Sequence, residues 1–506
     1  MAWHLKRLRA AAPALVAILL ILPPMFGCIN NPEAESTVNL SSGRAPSNNT
    51  VAAPDSRSES DSSQALARFD SIFSSTASDP ENNRQRKQFR DVYSRVRALY
   101  VHDVTDSELV EAAIDGMVKR DGAPEKVPAD KLVEAALDAM TTALDPHSAY
   151  LNSNELKDAE LITTGEFGGV GIQVAEEDGK IKIIAPIEDT PASRAGLKSG
   201  DVITHVDGRP VSGMTLSEAV HVMRGAEGSQ IRLGLEREGQ SPFNVTITRE
   251  VISIRPVRWA VFDDIGYVRI VSFNEKARSD LETAMVDVAA KLGSSGRGVV
   301  LDLRNNPGGL FEQSLYVADA FLDGGVIVSI RGRDQRHVRE FAARTGDLAG
   351  GLPMVVLING GSASASEIVA SALQENNRAL VMGTPSFGKG SVQTVMKLPV
   401  EGALKLTTAL YYGPSGQAIQ GEGVQPDIVL TGGEDDPSAT REAGLPHALP
   451  SFGRAIARDQ VQVAAAACPA INRDDNRDRE LGCALSLLQS GSLDRFLATR
   501  HANARQ

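Results

Sequence analysis

Apolar residues recur at helical spacing along Phe89–Tyr100, Leu109–Val118 and Lys131–Leu144, a pattern that predicts three helices packed as one subdomain. The period then changes. Lys180–Ile184 alternates as a strand, Ala195–Asp201 reads as a turn, Leu216–Met223 as a helix, and Gln230–Leu235 and Val245–Thr248 as further strands. Beyond residue 257 come short apolar, β-branched runs, Gly298–Leu301, Met354–Ile358 and Ala379–Met382, of the kind that forms strands buried on both faces. Glu367–Leu373 has helical spacing, and Val392–Leu398 alternates and pairs as a hairpin with Ala403–Tyr412. Residues 29–83, rich in Ser, Asn, Pro and acids with few apolar positions, read as a disordered tether. From Pro437 the chain is alanine-rich and reads as a partly helical tail.

With 506 residues, 42% hydrophobic and 23% charged, the chain has ordinary globular composition and room for two or three domains. A net charge of -12 argues against nucleic acid as partner. Lys6, Arg7 and Arg9 precede an apolar run, Ala10–Phe26, and Cys28 follows at the position of a lipid-bearing first residue. Met25 stands where such signals usually carry leucine, so a plain export signal or an uncleaved anchor stays open. All three put the chain outside the cytoplasm, and a lipid on Cys28 anchors it to a bacterial membrane. The residue after Cys28 is not Asp, which favours the outer membrane by likeness to bacterial lipoproteins. Cys468 and Cys483 then remain as two thiols in an oxidising compartment, where a disulfide is expected over two unpaired thiols.

Candidate chemistry centres on Ser364 and Lys389. A serine hydroxyl needs a neighbouring base, and an amine serves as one only when uncharged. Lowering a lysine pKa by about 3 units from about 10.4 takes about 4 kcal/mol of selective destabilisation of the ammonium, within the reach of desolvation. Phe387, Val392, Val395 and Met396 supply an apolar setting, and no acid lies between Gly383 and Pro399 in sequence. Gln393 offers a neutral amide that could orient the amine. Ser364 falls at a strand-to-helix turn where backbone N–H groups point outward. The Gly-Gly pair Gly308 and Gly309, after Asp302–Pro307, is a second source of donors.

Two rival readings are weaker. Gly383 to Lys389 nearly spells a phosphate-binding loop, but Gly390 replaces the Ser or Thr that ligates Mg²⁺ and a strand follows where a helix is needed. A Ser-His-Asp triad lacks its Gly-x-Ser-x-Gly elbow, with His147 the nearest candidate histidine.

From about Phe89 to Val429 the chain resembles the carboxy-terminal processing, or tail-specific, proteases, through Leu301–Gly309, Ser362–Glu367 and Phe387–Gln393. The resemblance implies Ser364 as nucleophile, Lys389 as general base, Gln393 as its positioner, and N–H groups of Ala365 and of Gly308 or Gly309 as oxyanion hole. Residues 167–250 resemble a PDZ domain, with Gly169, Val170, Gly171 and Ile172 at the place of its carboxylate-binding loop. Arg224 matches a position that relays peptide capture, against the plainer reading of a solvated helix-end arginine.

The implied fold is α/β: a crotonase-like protease core (251–436) with an inserted PDZ domain (167–250), after a signal (1–28), a tether (29–83) and a helical subdomain (84–166), and before a tail (437–506). The implied function is an extracytoplasmic serine endopeptidase that captures a protein C-terminus and cuts near that end through an acyl-enzyme. A catalytically silent PDZ scaffold for C-terminal tails is the alternative. Neither cofactor nor metal is implied. The partners are the tails of exported proteins and a membrane, with an adaptor or a homo-oligomer contact left open for the C-terminal tail.

Overall fold

The computed structural model describes residues 56–503 apart from 80, 119–125, 178, 188, 215, 254, 335, 434–439, 452–459 and 474–475. The expected lipid-bearing Cys28 and the leader before it lie outside the described residues. Two compact units are present, residues 166–254 and the chain on either side of them.

The smaller unit is built on a sheet in which Ile172–Glu177, Lys180–Pro186, Val202–Val206, Gln230–Glu236 and Phe243–Thr248 pair in that order. Alternation explains it: Ile181 and Ile183, Ile231, Leu233 and Leu235 point inward with Ile203 and Ile247, closing a core of their own with Leu216, Ala219 and Met223 of the helix Leu216–Met223. Glu166–Gly169 and Glu250–Ser253 pair antiparallel where the chain enters and leaves.

The larger unit holds a seven-stranded sheet in the order Val257–Phe262, Ile265–Ile270, Gly298–Asp302, Met354–Ile358, Ala379–Gly383, Ile428–Thr431 and Val461–Ala464. All neighbours but the first two are parallel. Parallel strands must be covered on both faces, and the unbroken apolar runs serve that need. Met354, Val356 and Ile358 meet the helices Ala277–Leu292, Phe311–Asp319 and Ala365–Glu375, while Val355 and Leu357 meet the helix Arg479–Ser490. A second, antiparallel sheet runs Ala149–Leu151, Ala403–Tyr412, Val326–Gly332, Val338–Ala342, with Ser391–Lys397 paired to Ala403–Tyr412. The N-terminal helices pack on its Leu404, Leu406, Leu410 and Tyr412.

Two boundaries need correction. The tether cannot run to residue 83, because Ser56–Thr76 is a helix whose Phe69 and Phe73, one turn apart, are buried, with Phe69 stacked on Phe89. The expected three helices, found at Asn83–Leu99, Asp106–Val118 and Ala129–Thr142, are thus joined by this one and by Ser153–Thr164, which Asn152 and Glu155 cap reciprocally. The protease core does not stop at 436: Val461–Ala464 is its seventh strand and Arg479–Ser490 covers its second face. Cys468 and Cys483 are joined as a disulfide, pinning that helix to the segment after the strand.

Candidate active site

Ser364 sits at the sharp turn between the buried strand Met354–Ile358 and the helix Ala365–Glu375, with φ +55° and ψ −111°. A non-glycine residue in that region is strained, and such strain persists only where the surroundings impose it. They do so through side-chain amides and hydroxyls. Asn305 and Asn359 exchange bonds, Asn305 N–H to Asn359 Oδ1 at 2.8 Å and Asn359 Nδ2 to Asn305 Oδ1 at 2.9 Å. The Asn306 carbonyl accepts from Ala363 N–H at 3.0 Å and from Ser366 Oγ at 2.8 Å, while Ser362 Oγ donates to Leu303 O at 2.8 Å. The loop after Gly298–Asp302 is thereby stitched to the serine loop.

That stitching discriminates between the two glycines. Gly308 N–H donates to Asn306 Oδ1 at 2.9 Å and is committed there, while no such bond ties Gly309 N–H to that amide. Gly308 matters by its size. With φ +106°, a Cβ there would come within 2.8–3.0 Å of Ala363 O, Ser364 Cβ and Ala365 N.

Lys389 is 4% exposed and Ser364 1%. Between their two loops lies Glu367, fully buried in the first turn of the serine helix. Its Oε2 accepts from Ser364 N–H at 2.7 Å and from Lys389 N–H at 2.9 Å, and its Oε1 from Gly388 N–H and Ser386 Oγ, both at 2.6 Å. One carboxylate thus ties the serine turn to the lysine loop. Burial pushes its pKa up to about 7, although all four donors favour the anion. No acid was expected near the lysine from its local sequence. Glu367 meets the backbone of that loop through tertiary packing, and its only sequence signal was its place three residues after the serine.

Gln393 is buried at a bulge of its strand, and its Nε2 donates to Ser391 Oγ at 2.9 Å and Thr407 Oγ1 at 3.3 Å. The amide is thereby fixed, with Oε1 as its acceptor end. His147 Nε2 lies 2.8 Å from Glu442 Oε2, so the ring is committed to that acid. Neither Glu442 nor the pairing was legible in the sequence, since 295 positions separate the two residues.

In the smaller unit, the carbonyl of Val170 accepts from Ala192 N–H at 2.8 Å, and that of Gly171 from Ile187 N–H at 2.9 Å and Thr190 Oγ1 at 3.1 Å. Gly171 has φ +79°, and any Cβ would strike Thr190. Ile172 opens the strand Ile172–Glu177, which ends the sheet's order, beside the helix Leu216–Met223. Arg224 follows that helix, its N–H bonded to Val220 O at 3.0 Å. Arg249 caps the helix, donating from Nε to Met223 O at 2.9 Å.

Known proteins resemble this chain in sequence. Residues 264–430 match the description "Peptidase family S41", and residues 182–237 match "PDZ domain". A carboxy-terminal-processing protease of Bartonella bacilliformis is 47% identical over 357 residues, covering 70% of this chain and 77% of that one. The carboxy-terminal processing protease CtpA of Bacillus subtilis is 36% identical over 306 residues, covering 60% of this chain and 65% of its own. Among solved structures, a photosystem II D1 C-terminal processing protease aligns with 28% identity and a TM-score of 0.46 over 68% of this chain and 92% of that one.

Proposed function

Because the chain belongs to peptidase family S41, the carboxy-terminal processing proteases, and carries a PDZ domain, we propose that it is a serine endopeptidase working through a Ser364–Lys389 dyad and an acyl-enzyme. The observation that carries this reading is the shared carboxylate oxygen of Glu367, which seats the two backbones side by side. Ser364 Oγ attacks the scissile carbonyl while the uncharged amine of Lys389 takes its proton. The oxyanion meets the N–H group of Ala365, at the start of the serine helix, and that of Gly309 in the facing loop. Lys389 then returns the proton to the leaving amine. Water enters, the same amine deprotonates it, and the ester to Ser364 is hydrolysed. Gln393 orients the amine without adding charge.

The PDZ unit supplies selection. Gly169, Val170, Gly171 and Ile172 present backbone N–H groups to a chain-terminal carboxylate, and the edge strand Ile172–Glu177 adds the peptide as a further strand. Capture raises the concentration of a tail near Ser364, and Arg224 relays it. The enzyme acts outside the cytoplasm, held to a membrane by lipid on Cys28, on the tails of exported proteins.

The test takes residues 29–506 and one peptide in two forms, with a free and with an amidated C-terminus. Cleavage of the free form, followed by mass, and its loss in Ser364→Ala and Lys389→Ala are expected. Binding without cleavage by the intact dyad would leave only the scaffold. For the anchor, Cys28→Ala is expected to move the protein from membrane to soluble fraction.

A further inference from the structure

The proposed mechanism leaves a buried acid and a buried imidazole beside the lysine loop without a task. Glu442 is fully buried and His147 is 5% exposed; His147 Nε2 lies 2.8 and 3.1 Å from the two carboxylate oxygens. The same acid grips the loop on both sides of Lys389. Downstream, its Oε1 accepts from Gln420 Nε2 at 2.8 Å, and Gln420 Oε1 accepts from Gly390 N–H at 3.0 Å. Upstream, Glu442 N–H donates to Phe387 O at 3.1 Å, and the neighbouring Arg441 bonds Ser386 O. The imidazole's own loop reaches the positioner of the amine. Buried Asp145 accepts from His147 N–H at 2.9 Å and from Thr407 Oγ1 at 2.9 Å, the hydroxyl to which Gln393 donates.

The electrostatics agree with the geometry. Burial and then the charge of Lys389 push the His147 pKa down, against the opposite pull of Glu442 and Asp145. Burial pushes Glu442 up, but His147, Gln420 and Lys389 outweigh it and hold the acid below its ordinary value. Glu442 is therefore held as a carboxylate whose charge couples to that of the amine. An apolar niche alone frees the amine of its proton; a nearby anion opposes that. Besides this pair, among the described residues, the charged groups on segments bonded to the loop or the pair include Asp145, Arg441, Glu367 and Glu422.

We propose that His147 and Glu442 are a positioning pair for Lys389, in which the carboxylate clamps the lysine loop and the imidazole, by bonding it, sets how strongly it retains the ammonium. The inference rests on the reading of Lys389 as the base.

The test measures the pH at which Lys389 becomes reactive toward acetic anhydride, read by peptide mass on the full chain carrying Ser364→Ala, beside the acidic limb of kcat/KM with Ser364 intact. Removing the anion in Glu442→Gln is expected to lower both midpoints by about one unit, a tenfold rise in neutral amine at a given pH. Glu442→Asp, which keeps the charge, is expected to stay near wild type. His147→Ala uncaps the carboxylate and is expected to raise both midpoints, and it carries the test if Glu442→Gln does not fold. Midpoints unmoved in a folded Glu442→Gln, or in His147→Ala, overturn the pairing. Full activity in Lys389→Ala would overturn the base itself and the pairing with it; an inactive Lys389→Ala with unmoved midpoints overturns the pairing alone. The acetylation readout follows Lys389 itself, so titration of Glu367 does not mimic it.

Discussion

At Gly308 the absence of a side chain decides the geometry of the nucleophile. A methyl there meets three atoms of the serine turn, two of them backbone, which cannot yield cheaply. Gly308→Ala is expected to lower kcat by about a hundredfold with KM little changed, the signature of a displaced oxyanion site; steady-state kinetics on one peptide reads it. Glu367 gives a second prediction. Its folded pKa of about 7 lies above its ordinary 4.5, so the folded chain holds a proton that the unfolded chain releases between those values. The contribution of Glu367 to stability is therefore full below that window, falls as pH rises through it, and levels off above. Glu367→Gln is expected to flatten this slope, worth on the order of 3 kcal/mol, in urea melts from pH 4 to 8. Ser364 and Lys389 stand out as candidates because each lies in a distinctive local string. Glu367, Asn305, Asn306, Asn359 and the His147–Glu442 couple do not, because their work lies in contacts that only the folded chain creates.

Elements declare themselves when packing demands a pure pattern. Met354–Ile358 needs apolar residues on both faces, and its boundaries came out of the sequence unchanged. Ser56–Thr76 buries only a narrow stripe around Phe69 and Phe73 in an otherwise polar string, so composition pointed to a tether. Val461–Ala464, with its exposed Gln462, is a short edge strand lost among alanines and polar residues. The helix Arg479–Ser490, which covers the second face of the sheet, is stapled by Cys468–Cys483 across a sequence separation of 15. Closing a loop of that length is worth about 3 kcal/mol in the chain-entropy model. Replacing both cysteines by serine is expected to lower the unfolding free energy by about that amount, checked by denaturant titration without reductant. Arg304 adds a second fastening, pairing with Asp302 of the central sheet and with Asp478 and Glu480 at the start of that helix.

Across the whole molecule, the two units differ in how self-sufficient they are. Residues 166–254 enclose their own apolar core and bring their first and last strands together, so the excised segment is expected to fold alone. A cooperative melt of that fragment, with heteronuclear NMR shifts of Gly169–Ile172 moved by a free-carboxylate peptide and not by its amide, is the expected outcome. The catalytic unit has no such economy, since its sheet draws strands from Val257 to Ala464 and its helical region leans on Ala403–Tyr412. A chain cut short after Lys389 but before the closing strand and its covering helix leaves one face of the parallel sheet bare, and is expected not to fold. Synthesis order then delays closure of the sheet until that late stretch has been made.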